Sequence, residues 1–194
     1  MPRASRYTDV RATAAHLFRT HGYAATTMDL IADEVGLNKG TLYHYYEGKS
    51  AILYDLMSEQ VDVTLELLDE VPEDLSPRDR LHELIRLQAL HVADSDDELI
   101  VFFQEMRWIS QNLTPEQAQS LRERFSRYEN FMRKLLTRSA KAGEVVKSDT
   151  STVIYSIVGM LGYIPNWFHG TTPQAKKKMA VQVADLAMRG LDVR

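Results

Sequence analysis

Apolar residues along this chain recur at intervals of three and four and hardly ever alternate, which predicts helix after helix and no convincing strand. Val10, Ala14, Leu17 and Phe18 form a first stripe that stops near Gly22, a glycine placed to terminate a helix. Thr27 caps a short second helix, in which Met28, Ile31, Ala32 and Val35 fall at i, i+3, i+4 and i+7 before Gly36 breaks it. A turn of three to four residues leads to a third short helix, with Leu37 and Leu42 as its expected buried anchors. Two short helices around a glycine turn are the helix-turn-helix pattern.

Beyond residue 50 the elements lengthen. Leu53, Leu56, Met57, Val61, Leu65 and Leu68 mark a long helix that runs to a Pro72–Pro77 loop, and residues 77–94 form the next. The acidic run Asp94-Ser95-Asp96-Asp97-Glu98 reads as a turn and N-cap before Leu99, because it lacks the ligand spacing and central glycine of a calcium loop. Thr114-Pro115-Glu116-Gln117 is a capping box with proline at the first helical position, opening a helix to about Ala142 that Gly143 ends. Two final helices are expected at about 149–168 and 172–191, with a kink at Pro165. The expected fold class is all-α: a three-helix head, residues 1–50, and a second helical domain, residues 51–194.

Charge sharpens the division. The 194 residues carry a net charge of −4, unevenly spread. Residues 1–50 hold 6 Lys and Arg against 5 acids, residues 51–100 hold 3 against 14, and residues 101–194 hold 14 against 8. Phosphate binding rewards a local basic surface, so a near-neutral head with Arg3, Arg6, Arg11, Lys39 and Lys49 can still meet a DNA backbone, with the acidic segment turned away. Cysteine is absent, which removes disulfides, thiolate nucleophiles and cysteine-held metals. The six histidines show no HExxH spacing, and no phosphate loop or nucleophile elbow appears, so neither an enzyme nor a cofactor is expected. No apolar run approaches the roughly 20 residues that cross a bilayer, and the first residues lack the centre of a secretion signal. The expected location is the cytoplasm.

The stretch GLNKGTLYHYYEGKS, residues 36–50, places Lys39, Thr41, Tyr43, His44 and Tyr45 around Leu42, where they can face a major groove or its phosphates. Gly40 permits close approach to a duplex. The longer run from Thr26 to Leu53, with Ile31-Ala32, Gly36, Gly40-Thr41-Leu42-Tyr43, Tyr46 and Lys49, resembles the DNA-binding signature of TetR-family repressors, with Tyr46 where phenylalanine is more usual. The resemblance implies that Thr27, Lys39, Gly40, Thr41, Tyr43, His44, Tyr45 and Lys49 contact DNA. It also offers Arg3 and Arg6 as a minor-groove arm or a disordered tail.

It further implies a homodimer through residues 149–191, and the sequence supports this. Val153, Ile154, Tyr155, Ile157, Val158, Met160 and Leu161 make one helix apolar nearly all round, which suits burial on several sides, in a dimer or within a monomer. A two-fold dimer presents two recognition helices to a palindromic operator. The effector is expected to be a small apolar molecule held by Phe103, Met106, Arg107, Trp108, Met132, Tyr155, Tyr163, Trp167 and His169. Such residues line apolar pockets and equally fill ordinary cores. The stretches FFQEMRWIS, GEVV and YIPNWFHG are similar in layout to TetR-family repressors of fatty-acid and steroid catabolism, which implies an acyl-CoA effector. The alternatives are a DNA-binding regulator without an effector and, behind it, a helical enzyme.

Overall fold

The structure is a computed structural model that describes residues 3–94 and 96–193, with side chains from residue 6 onward. Ten α-helices follow one another: α1 Arg3–His21, α2 Met28–Val35, α3 Lys39–Tyr43, α4 Lys49–Asp69, α5 Pro77–Ala93, α6 Asp97–Glu105, α7 Ile109–Asn112, α8 Pro115–Lys141, α9 Thr150–Tyr163 and α10 Pro173–Arg189. Among the described residues there is no strand, and no helix is long and apolar enough to cross a membrane. The all-α expectation holds.

Local chemistry sets most helix ends. Ser76, Asp96, Asp149 and Thr172 each accept a backbone N–H three residues ahead, and Pro77 and Pro173 occupy first helical positions where no donor is missed. The expected capping box at α8 is reciprocal: the Gln117 amide N–H donates to Thr114 Oγ1 at 3.3 Å, and the Thr114 amide N–H to Gln117 Oε1 at 3.1 Å. The helix expected at about 149–168 ends early, and the helix opened by the acid run is brief. After Glu105 the backbone tightens into a 3-10 turn at Met106–Trp108 before α7, and Pro165 sits in a 3-10 turn at Ile164–Asn166 that ends α9. Proline lacks the N–H that would have continued the α-helical ladder.

By internal contacts the chain forms two compact units: residues 1–61 with 96–122, and residues 62–95 with 123–194. In the first, α1 packs on α2 and α6, and Val10, Ala14, Phe18, Ile31, Leu42, Leu53 and Met57 close the core. In the second, α5 packs against α10 and α9 around Leu84, Ile85, Tyr128, Met132, Ile157 and Ala184. The acid run expected as a turn is built so: Asp94 ends α5 and pairs with Lys176, and Asp96 caps α6. Ser95 lies outside the described residues.

Candidate DNA-binding surface and effector site

The head is held together by caps rather than by long helices. Thr27 Oγ1 accepts the Leu30 N–H at 3.2 Å and opens α2. Gly36 closes it at φ 69°, a left-handed conformation that an L side chain resists, and the Leu37 N–H returns to the Ala32 carbonyl at 2.9 Å. Leu37 therefore lies in the turn, half-buried, and not in the third helix as expected; the buried anchor of α3 is Leu42 alone. Asn38 caps α3, accepting the Thr41 N–H and the Thr41 hydroxyl, each at 2.8 Å. The sequence reading passed over Asn38, although an Asn just before a short helix is a standard capping signal.

Around α3 the side chains sort into an outer and an inner set. Lys39, Gly40, Tyr43 and His44 are exposed, with Thr27 exposed at the start of α2. Lys39 Nζ lies 2.7 Å from Asp29 on α2, and that hydrogen bond raises its pKa. A Cβ on Gly40 would stand 3.6 Å from Asn38 Oδ1, ordinary contact, so the protein's own packing does not demand glycine there. Tyr45 is half-buried, with its ring 6.4 Å from that of Tyr7, while Tyr46 is buried, stacks on Tyr7 at 4.6 Å and donates to Asp55 Oδ2 at 2.6 Å. Burial and the Asp55 carboxylate push the Tyr46 phenol well above its ordinary range.

Two cations expected at phosphates are engaged by the protein itself. Arg11 lies 3.0 Å from Glu98 on α6, 3.7 Å from Glu59 and 3.9 Å from Asp55 on α4, so three carboxylates already surround it. Lys49 Nζ, half-buried at the start of α4, donates to the carbonyls of Tyr23, Thr26 and Ala24 at 2.8, 3.0 and 3.2 Å and lies 4.5 Å from the Tyr23 ring centroid. Burial lowers its pKa, with Glu105 pulling the other way. The ammonium thus ties α4 to the α1–α2 connection. Lys49→Met should lower unfolding stability by about 2 kcal/mol, because the carbonyls lose a charged donor. Urea unfolding checks this, since a lysine serving only phosphates would leave the midpoint unchanged. Arg6 sits in α1, 4.0 Å from Asp9, and not in an extended arm; the Arg3 side chain lies outside the described residues.

The nine expected effector residues divide between the units. Phe103 and Met106 are half-buried, and Arg107 and Trp108 are exposed at the 3-10 turn of the first unit, with the Arg107 guanidinium 4.9 Å from the Trp108 ring centroid. In the second unit Met132 is fully buried core, while Tyr155, Tyr163, Trp167 and His169 are exposed on α9 and the segment after it. The 3-10 turn is wired to the head by groups the sequence did not reveal. Asn112 donates to Glu105 Oε2 at 2.7 Å, and the Tyr23 hydroxyl donates to the Asn112 carbonyl at 3.2 Å. Burial raises the Glu105 carboxyl pKa and pushes the Tyr23 phenol up to about 12. Tyr23 in turn underlies Lys49.

Two capped helices around a three-residue turn, the second with a polar outer face on a buried leucine, define a helix-turn-helix regulator. Residues 10–56 match the family model for bacterial regulatory proteins of the tetR family, and residues 74–191 match that for the tetracyclin repressor-like C-terminal domain. The chain belongs to the TetR family of transcriptional regulators. It is 28% identical over 202 residues to the putative mycofactocin biosynthesis transcriptional regulator MftR of Mycobacterium tuberculosis, covering 99% of this chain and 98% of that one. It is 26% identical over 141 residues to the fatty acid metabolism regulator protein of Bacillus subtilis, covering 72% and 71%. The match to the uncharacterised regulator YerO of Bacillus subtilis, 28% over 107 residues, takes in 54% of this chain but only 35% of that protein. Among solved structures, AibR in complex with isovaleryl coenzyme A and operator DNA superposes with a TM-score of 0.79 at 26% identity, covering 93% of this chain and 97% of AibR.

Proposed function

We propose that the protein is a repressor that binds a palindromic operator as a homodimer and leaves it when a small apolar effector, an acyl-CoA thioester, binds the domain of residues 51–194. The observation that carries the operator reading is the outer face of α3, where Lys39, Gly40, Tyr43 and His44 stand exposed on a helix fixed by Asn38 and Leu42. Thr27, Thr41, Tyr45 and Lys49 complete the proposed head surface, with Lys49 placing it as well. The dimer reading rests on α9 and α10, where Tyr155, Tyr163 and Leu186 are each at least 60% exposed, a poor choice of side chain for water. The acyl-CoA reading leans on similarity to AibR, whose structure contains isovaleryl coenzyme A and operator DNA.

Release requires the effector to bind the DNA-incompetent state more tightly, typically by about 1–3 kcal/mol. The 3-10 turn with Arg107 and Trp108 offers a route, since the Asn112–Tyr23–Lys49 chain leads from it to the base of the helix-turn-helix. Gel-shift binding to DNA from upstream of the protein's own gene, repeated with acyl-CoAs, tests both halves. Binding abolished by acyl-CoA is the expected result, and binding indifferent to it removes the effector class. Tyr43→Ala should weaken operator binding about tenfold, equivalent to about 1.4 kcal/mol, with the dimer intact. Fluorescence anisotropy beside sedimentation measures this, and unchanged affinity would remove Tyr43 from the DNA surface.

A further inference from the structure

The loop between α8 and α9 frames a cavity of about 310 Å³ that none of the nine proposed effector residues lines. Its wall is apolar where Leu136, Ala140, Val153 and Leu191 meet, and its volume falls at the small end of the range of about 300–1,000 Å³ typical of small-molecule sites. Two cations, Lys141 and Lys147, line the same space. Neither forms an ion pair among the described residues.

The neighbouring groups that would ordinarily occupy these lysines are committed elsewhere. Glu144 accepts the Arg78 backbone N–H at 3.1 Å, Asp192 pairs with Arg78 at 2.7 Å, and Asp149 accepts both the N–H and the hydroxyl of Thr152 at 2.7 Å. Nor is Lys141 needed to close its own helix. The last carbonyls of α8, those of Arg138, Ser139 and Ala140, already accept the N–H groups of Ala142, Glu144 and Gly143. The loop is pinned in turn, with the Val146 N–H donating to the Leu191 carbonyl at 2.8 Å. A fixed apolar recess with two unpaired ammonium groups has the complement of a short aliphatic chain ending in a negative charge.

We propose that this cavity binds small amphipathic anions, medium-chain carboxylates, with the chain among Leu136, Ala140, Val153 and Leu191 and the carboxylate at Lys141 and Lys147. The site lies wholly within the unit of residues 62–95 and 123–194 and stands apart from the effector reading above.

Calorimetric titration of the full-length protein with octanoate, octan-1-ol and inorganic phosphate tests it. Saturable octanoate binding is expected, with octanol weaker, Lys141→Gln/Lys147→Gln reducing affinity at least about tenfold, and Val153→Trp abolishing it. Octanoate should also shift the methyl resonances of Leu136, Val153 and Leu191 in the unaltered protein, which keeps the test valid if the tryptophan variant does not fold. Equal binding of octanol, full competition by phosphate, binding that survives both variants, or no saturable binding would each overturn the proposal. Operator binding measured on the same samples reports the regulator reading separately.

Discussion

Leu186→Glu is expected to convert the protein to monomers and to lower operator affinity at least about a hundredfold. The arithmetic is that of a bivalent ligand: in the proposed dimer, two heads would bind the second half-site as an intramolecular event, an advantage of about 10²–10⁴ that a monomer forfeits. Leu186 on α10 is 63% exposed in the single chain, and Tyr163 on α9 is 65% exposed. Side chains of this size left in water on two late helices gain little unless a partner covers them. A glutamate there would be buried without a counter-charge once in each subunit, and an unpaired buried charge costs several kcal/mol. Sedimentation velocity reads the assembly, and anisotropy on a palindromic duplex reads the affinity. A variant that remains dimeric would place the interface elsewhere.

Arg11→Met should cost about 3 kcal/mol of stability, the second large effect, because it strands the buried Glu98 carboxylate without its cation. Glu98 is 8% exposed, and its pKa is raised, burial being the main cause and the Arg11 charge the main opposition. Removing Arg11 removes that opposition. A carboxyl whose folded pKa lies above its unfolded value favours folding most at low pH, below the unfolded pKa. That contribution is lost as pH rises through the folded pKa. The variant should therefore lose stability from about pH 4 upward, where an ordinary glutamate begins to ionise, and more steeply than the parent. Urea midpoints at acidic and neutral pH measure it. The double variant Arg11→Met/Glu98→Leu should recover most of the loss, as buried pairs replaced by apolar residues often do. Equal midpoints for parent and Arg11→Met at neutral pH would mean that the Glu98 carboxylate is solvated and Arg11 dispensable.

Those two cases also mark what the sequence could and could not disclose. The α1 stripe of Val10, Ala14, Leu17 and Phe18, the Thr27 cap, the Gly36 stop and the Thr114–Gln117 box are local in the chain, and each appears where its pattern placed it. Arg11 with Glu98, Lys49 with Tyr23, and Tyr23 with Asn112 join residues 26 to 89 positions apart. No periodicity records such a pairing. A count of charge by segment set Arg11 aside for phosphates, whereas folding brought the acids of α4 and α6 onto it. The break at Met106–Trp108 was hidden because no proline or glycine within it announces the end of the helix. The aromatic and methionine residues grouped in one effector site were grouped by type, and type alone does not distinguish the buried Met132 from the exposed Tyr163.

The placement of the two tryptophans gives the protein its own optical instrumentation. The sequence contains only Trp108 and Trp167, and the two compact units hold one each. Trp108, 38% exposed, sits beneath the Arg107 guanidinium at the turn wired to the head, and Trp167, 49% exposed, follows α9 with its ring 5.9 Å from that of Phe168. Indole emission moves to the blue as water is excluded, so replacing either ring with phenylalanine leaves a single-colour reporter for the other unit. Events in the two units can then be timed separately, without a dye attached to either.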